Sequence, residues 1–265
     1  MDKFCVLQPE GGITSGGQWA TASSFDPPTL GNSQKCPVCG KPVTARRWMP
    51  PHQVKLSRAR PSKWGDFMWG PATSLLVSKN FKQIYEQEGL TGISSFSDPF
   101  EVMRMGTLKN GQFPMAPPVY HVVYVLWGGA NQDDTASGLK LSHPADVKCT
   151  HCRSVRAGRS QDRVLIRPGT WNGKDVFIPR NAPVPFLVTE RFKQVVEDHL
   201  LTNAWFIPAE YYAYDSTRWG QWYVNGMPEV ADRAEQVDDA VPTVDDNTEQ
   251  DDRAGLSGSW TPLRG

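Results

Sequence analysis

The chain lacks the short signatures that announce the commonest catalytic centres. It contains no H-E-x-x-H pair, no phosphate-cradling G-x-x-x-x-G-K and no G-x-S-x-G. None of its five histidines is followed two residues later by Glu, and Lys precedes both of its C-x-x-C pairs, so the H-x-E and P-C-x-x-C of a zinc deaminase are missing too. These absences remove the metalloprotease, P-loop, α/β-hydrolase and deaminase readings, and a non-enzymatic role is the expectation. Long apolar runs are also missing. The longest, Val119 to Trp127, is interrupted by His121 and is far too short to span a bilayer. The amino end, Met1-Asp2-Lys3-Phe4, breaks at Gln8-Pro9 and does not have the form of a signal peptide. A cytoplasmic protein without a membrane partner is expected.

Cysteine is scarce, and its placement is informative. Four of the five form two pairs, Cys36-Pro37-Val38-Cys39 and Cys149-Thr150-His151-Cys152. In a reducing compartment such pairs are more often metal sites than disulfides. Four thiolates are a preferred donor set for tetrahedral zinc, and a closed tetrahedron supports folding without offering an open position to a substrate. One structural Zn2+ per chain on Cys36, Cys39, Cys149 and Cys152 is therefore expected, against the alternative of four free or disulfide-linked cysteines. Cys5, between Phe4 and Val6, reads as a small buried apolar residue.

Net charge is also absent, with 28 basic and 28 acidic residues, but the balance is uneven. From Pro228 onward ten acidic residues stand against three basic ones, which leaves −7 there and +7 in the remainder. This composition predicts an acidic, disordered tail over 228–265 behind a folded domain over 1–227.

What the sequence does have is a repeat. Leu76-Val77-Ser78-Lys79-Asn80-Phe81-Lys82-Gln83-Ile84 returns 111 positions later as Leu187-Val188-Thr189-Glu190-Arg191-Phe192-Lys193-Gln194-Val195. Eight of the 17 positions from 76 to 92 are identical to their counterparts, where about one would match by chance, so the segment reads as an internal duplication. Ser78 and Thr189 are placed as N-caps. Behind them Phe81, Ile84 and Tyr85 in one copy, and Phe192, Val195 and Val196 in the other, recur at helical spacing, so each copy predicts a short helix with one buried face. Gly92 and Asn203 occupy equivalent positions, and both residue types tolerate a left-handed backbone. Alternating or β-branched stretches predict strands at Lys3 to Leu7, Leu75 to Val77, Ile93 to Phe96, Phe100 to Met105, Tyr120 to Trp127 with an end at Gly128-Gly129, Phe186 to Val188, Ala204 to Ile207 and Tyr211 to Tyr214, and Asp175 to Ile178 stands where the first copy has Asp66 to Trp69. The expected fold is α+β: two similar strand-rich halves, about 1–128 and 129–227, each with a C-x-x-C knuckle and a capped helix, sharing one zinc site.

Two binding readings compete. Basic loops follow each knuckle (Arg46, Arg47, Lys55, Arg58, Arg60, Lys63; Arg153, Arg156, Arg159, Arg163, Arg167), as in nucleic-acid-binding zinc ribbons. Aromatic residues are not interleaved with them, however, and the tail cancels their charge, so nucleic acid is the weaker reading. The aromatic cluster Tyr211, Tyr212, Tyr214, Trp219, Trp222 and Tyr223 could instead anchor a protein partner, or simply be core.

The C-P-x-C-G knuckle of Cys36, Cys39 and Gly40, the second pair Cys149 and Cys152, and the L-V-[ST]-x-x-F helices from Leu187 and Leu76 together resemble the double-CXXCG immunity proteins of myxobacteria. The resemblance covers roughly residues 1 to 225 and departs where Arg153 stands in place of the second glycine. It implies a non-catalytic protein that binds and neutralises a cognate protein toxin.

Overall fold

The computed structural model describes residues 3–9, 19–57, 63–105, 116, 118–141, 149–153, 159–182, 186–215 and 221–224. The chain divides into Met1–Gly226 and Met227–Gly265. The second segment, and with it the expected tail, lies outside the described residues.

The elements in chain order are β1 (Phe4–Gln8), β2 (Ala22–Ser24), β3 (Gln53–Leu56), β4 (Phe67–Trp69), β5 (Leu75–Ser78), α1 (Lys79–Gln87), β6 (Ile93–Phe96), β7 (Glu101–Met105), β8 (Tyr120–Val125) and β9 (Trp127–Asn131). They continue with β10 (Lys140–Leu141), β11 (Arg159–Gln161), β12 (Val176–Arg180), β13 (Leu187–Thr189), α2 (Glu190–Asp198), β14 (Trp205–Pro208), β15 (Tyr212–Asp215) and β16 (Gln221–Val224). Among the described residues the protein is thus α+β, mostly strands with two helices.

The two helices form where the repeat places them, and their ends differ by the repeat offset. Ser78 Oγ accepts from Phe81 N at 3.0 Å, and Thr189 Oγ1 accepts from Phe192 N at 3.2 Å. Each cap satisfies one of the donors that a helix start leaves unpaired. The buried faces are Phe81, Ile84 and Tyr85 in α1 and Phe192, Val195 and Val196 in α2. These faces meet in one core, where the Phe81 and Phe192 rings lie 5.8 Å apart, with Phe67, Leu90, Val188 and Leu201 around them. Cys5 is buried in the same core.

The sheets repeat as well. One runs β4-β5-β8-β6, and the other runs β12-β13-β1-β14 with β9 added beside β12. Within each four-strand set every neighbouring pair is antiparallel. β1 takes the place that β8 has in the first sheet: Val6 lies opposite Leu187, as Val122 lies opposite Leu76. Both are central strands with nearly continuous burial, so Cys-Val-Leu and Val-Val-Tyr-Val carry apolar residues on both faces. The amino-terminal strand therefore completes the sheet of the second copy, and the sheets do not follow a division near residue 128. Two smaller sheets, β2-β3-β7 and β10-β11-β15-β16, flank this pair.

The long strand expected from Tyr120 differs from the expectation. It breaks at Leu126, and the chain resumes as β9 straight through Gly128-Gly129, because β12 offers a parallel partner there, with Ile178 opposite Trp127 and Arg180 opposite Asn131.

Two aspartates tie one copy to the other. Asp66, just before β4, accepts from the Ser78 hydroxyl at 2.5 Å and from both the amide and hydroxyl of Thr202 at 2.8 Å. Asp175, just before β12, accepts from the Thr189 hydroxyl at 3.1 Å and from the amide and hydroxyl of Thr91 at 2.9 Å. Thr91 and Thr202 are equivalent in the repeat, so each copy holds the loop after the other copy's helix. Close approach at this junction explains Gly92 (φ 112°): a Cβ there would lie 1.9 Å from the Val176 carbonyl oxygen. Its counterpart Asn203 keeps a positive φ of 60° and uses its side chain, donating from Nδ2 to the Phe67 carbonyl.

Asp175 also receives Arg191 Nη1 at 3.0 Å and is 8% exposed. Its replacement by Ala leaves four donors without their charged acceptor and is expected to lower unfolding free energy by about 2–4 kcal/mol. Thr202→Ala is expected to cost about 1 kcal/mol. Urea unfolding measures both; an Asp175→Ala variant as stable as the parent would refute a stabilising role for these crossing bonds.

Candidate metal centre

The first knuckle is shaped by its own backbone. Cys36 N donates to the Lys41 carbonyl at 2.8 Å and Gly40 N to the Cys36 carbonyl at 2.9 Å, with Gly40 at a φ of 71°. The second closes in the same way: Arg153 N donates to the Cys149 carbonyl at 2.8 Å, and Arg153 has a φ of 53°. Arginine thus adopts the conformation that glycine adopts in the first copy, at a cost of about 1–2 kcal/mol for a side-chain-bearing residue. The knuckle geometry survives the sequence difference.

Although 113 residues separate equivalent cysteines, the knuckles face each other. Cys36 Sγ lies 3.9 Å from Cys149 Sγ, Cys39 Sγ lies 3.6 Å from Cys152 Sγ, and all four sulfurs lie within 4.8 Å of one another. Sulfurs of a disulfide would be about 2.05 Å apart, and all five cysteines are free. Four sulfurs each about 2.3 Å from a central ion would be about 3.8 Å apart, so the spacing fits a tetrahedral thiolate site. The four cysteines therefore form a cluster close enough to hold a metal ion. Cys36, Cys149 and Cys152 are buried, whereas Cys39 is exposed.

The local amides favour thiolate at some positions. The Cys152 amide, followed by that of His151, lowers the Cys149 thiol to about 7 against the opposing effect of burial. At Cys36 burial pushes the thiol up, but the amides of Cys39 and Val38 and the neighbouring thiols outweigh it and the net direction is down. At Cys39 the Lys41 amide lowers the thiol, while burial and the three neighbouring sulfurs raise it to about 11. Binding of a metal to thiolates displaces the protons of any thiols that remain.

Residues that the C-x-x-C pattern does not disclose hold the knuckles in place. Gln34 bridges the break between β8 and β9: its Nε2 donates to the Val125 carbonyl at 2.9 Å, and its Oε1 accepts from Trp127 N at 3.0 Å. Trp127 and Val43 pack against Cys36, Cys149 and Cys152. The only sign of Gln34 in the sequence is its position two residues before a knuckle. His151 is not among the clustered ligands; its ring centroid lies 6.0 Å from that of Trp127.

The aromatic cluster is divided. Tyr212 is 1% exposed and belongs to the core with Val6, Phe177 and Ile207, and burial raises its phenol pKa above the ordinary range. It is therefore a packing residue and not a surface anchor, because its ring is enclosed by residues of β1, β12, β13 and β14. Tyr214 is half-buried against the same core, and Tyr211 is half-buried in a single turn of 3-10 helix. Trp222 and Tyr223 lie in β16, where their backbones pair with Tyr214 and Ala213. Trp219 lies outside the described residues, as do Arg58, Arg60 and Arg156.

Thiol alkylation followed by peptide mapping tests the division of the cysteines. Burial, then the neighbouring Glu190 carboxylate, raises the Cys5 thiol to about 12. Cys5 is therefore expected to react only after denaturation, whereas Cys36, Cys39, Cys149 and Cys152 become reactive once a chelator is added. Equal reaction of Cys36 or Cys149 with and without chelator would count against a metal at this cluster. No protein-family model matches the chain, and no curated protein aligns with it at a significant level.

Proposed function

We propose that the protein is a cytoplasmic immunity protein that binds and neutralises a cognate protein toxin without chemistry of its own, and that one structural Zn2+ on Cys36, Cys39, Cys149 and Cys152 joins two similar strand-rich halves. The observation that carries this reading is the meeting of two knuckles, each ahead of a capped helix, at one four-sulfur cluster. The sequence motifs on which the resemblance to the double-CXXCG immunity proteins rests, the two cysteine pairs and the L-V-[ST]-x-x-F helices, are the ones that build this arrangement. A closed tetrathiolate leaves no coordination position for water or substrate, so its contribution is to folding and to the rigidity of a binding surface. The matching strand orders and the exchanged Asp66–Thr202 and Asp175–Thr91 bonds support a duplicated architecture, with β1 belonging to the second half.

Four of the basic side chains weigh against the nucleic-acid alternative. Arg46 donates to the Leu30 and Gly31 carbonyls, Arg47 lies over the Tyr124 ring, Lys55 over the Phe25 ring, and Arg153 pairs with Asp134. Their first partners are within the fold and not in solvent, where phosphates would compete for them. With Tyr212 in the core, the aromatic anchors that remain for a toxin surface are Tyr211, Tyr214, Trp219, Trp222 and Tyr223, and an acidic tail would speed the encounter with a basic toxin.

Elemental analysis is expected to find about one zinc per chain, and Cys39→Ser or Cys152→Ser to lower Tm sharply. Co-expression with the toxin encoded next to its gene is expected to restore growth, and pull-down to recover a stoichiometric complex. Zinc-loaded, folded protein that neither binds nor protects against that toxin would overturn the immunity reading while leaving the metal in place.

A further inference from the structure

Arg153 follows Cys152 with a φ of 53°, in the place that Gly40 holds after Cys39 with a φ of 71°. The first knuckle shows that the turn needs no side chain here, and glycine adopts the conformation freely. The second knuckle nevertheless carries arginine. Its side chain supplies the reason. Arg153 Nη2 pairs with Asp134 Oδ2, and Oδ1 of the same carboxylate accepts from Asn181 Nδ2 at 3.1 Å. The pair is shielded, with side-chain exposures of 23% for Arg153 and 17% for Asp134. Asn181 is buried and is itself left-handed, with a φ of 66°.

These three residues come from separate places: the second knuckle, the turn after β9, and the end of β12. A second route joins the same places. Arg180, immediately before Asn181, lays its guanidinium 5.4 Å from the centre of the Trp127 ring, and Trp127 packs against Cys36, Cys149 and Cys152. The end of β12 thus reaches the knuckle from one side through Trp127 and from the other through Asp134 and Arg153. Among the described residues of the second knuckle, 149–153, Arg153 is the one whose side chain forms an ion pair with the rest of the fold.

The geometry points to Arg153, Asp134 and Asn181 as a positioning latch for Cys149 and Cys152: it lies outside the ligand set and holds the second sulfur pair at the separation a metal ion requires. This inference rests on the metal reading above. The left-handed backbone at Arg153 is retained because removing the side chain, as in Gly40, would free the turn but detach it from the sheet. Outer residues of this kind commonly change metal affinity by 10–100-fold when replaced.

The test is zinc affinity by chelator competition on the full chain, for the parent, Arg153→Gly, Asp134→Ala and the double variant, with the cobalt-substituted spectrum recorded for each. The latch requires a loss of tenfold or more in each single variant and no further loss in the double variant, since either change opens the same connection. The cobalt spectra should keep the intensity of four thiolate ligands while the ligand-field bands shift, which a general loss of stability would not produce. If Arg153→Gly binds zinc as tightly as the parent or more tightly, backbone relief prevails and the latch is overturned, with the metal site left standing. Additive losses would likewise overturn it, because the two residues would then act separately. A parent protein that binds no zinc would overturn the latch and the metal reading together, and Asp134→Ala, which leaves the Arg153 backbone untouched, decides the matter should Arg153→Gly fail to fold.

Discussion

Four sulfurs within 4.8 Å of one another are the constraint on which the rest of the structure depends. They come from two knuckles 113 residues apart, and closing so long a loop costs conformational entropy. The shared core around Phe81 and Phe192 and the crossing bonds of Asp66 and Asp175 offset part of that cost. The thiols also differ, since burial and the neighbouring sulfurs raise Cys39 to about 11 against the Lys41 amide, while the Cys152 and His151 amides lower Cys149 to about 7. A bound dication would act on both, because it favours four thiolates over thiols and its binding energy appears as folding energy.

The sheets show how that local site is connected to the core. β12 begins beside Asp175, which holds the loop after α1, and ends at Arg180 and Asn181, which reach the second knuckle through Trp127 and Asp134. One strand therefore spans the distance between two of the places where the copies meet. Its neighbour β13 leads directly into α2, whose Phe192 meets Phe81 in the shared core. Displacing the knuckle would pull on the end of β12, whose other end is fixed by the Asp175 bonds.

Much of this was legible in the sequence, and what was legible was local. The helices were readable because Ser78 and Thr189 are good caps and the spacing of Phe81, Ile84 and Tyr85 is helical. The cysteine cluster was readable because two C-x-x-C pairs in one chain are a common metal-ligand pattern. β1 as a partner of β13 and β14 was not readable, since nothing in Phe4-Cys5-Val6-Leu7-Gln8 distinguishes one antiparallel neighbour from another. The same limit hid β9, whose glycines mark a turn in isolation and a strand once β12 lies beside them. Whether Tyr212 is an anchor or core was left open for a related reason: an aromatic strand gives no sign of which face the sheet will cover. Gln34 and Asp134 were silent because their roles depend on backbone and side chains 91 and 19 residues away.

The two copies also provide an internal comparison of what a left-handed position requires. In the first, Gly40, Gly89 and Gly92 have φ of 71°, 60° and 112°; in the second their places are taken by Arg153, Leu200 and Asn203, with φ of 53°, 53° and 60°. The backbone conformation is thus set by the turn and not by glycine, since three different side chains are forced into it. Tertiary bonds account for two of the three: Arg153 pairs with Asp134 and Asn203 donates to the Phe67 carbonyl. Leu200 is 84% exposed, and nothing in the structure explains it. Where the strained residue is bonded, the strain and the bond have to be considered together, because replacing the side chain with glycine removes both at once. The sign of the stability change at Arg153 and Asn203 is therefore a direct measure of which is larger, and the buried setting of Asn203 favours the bond.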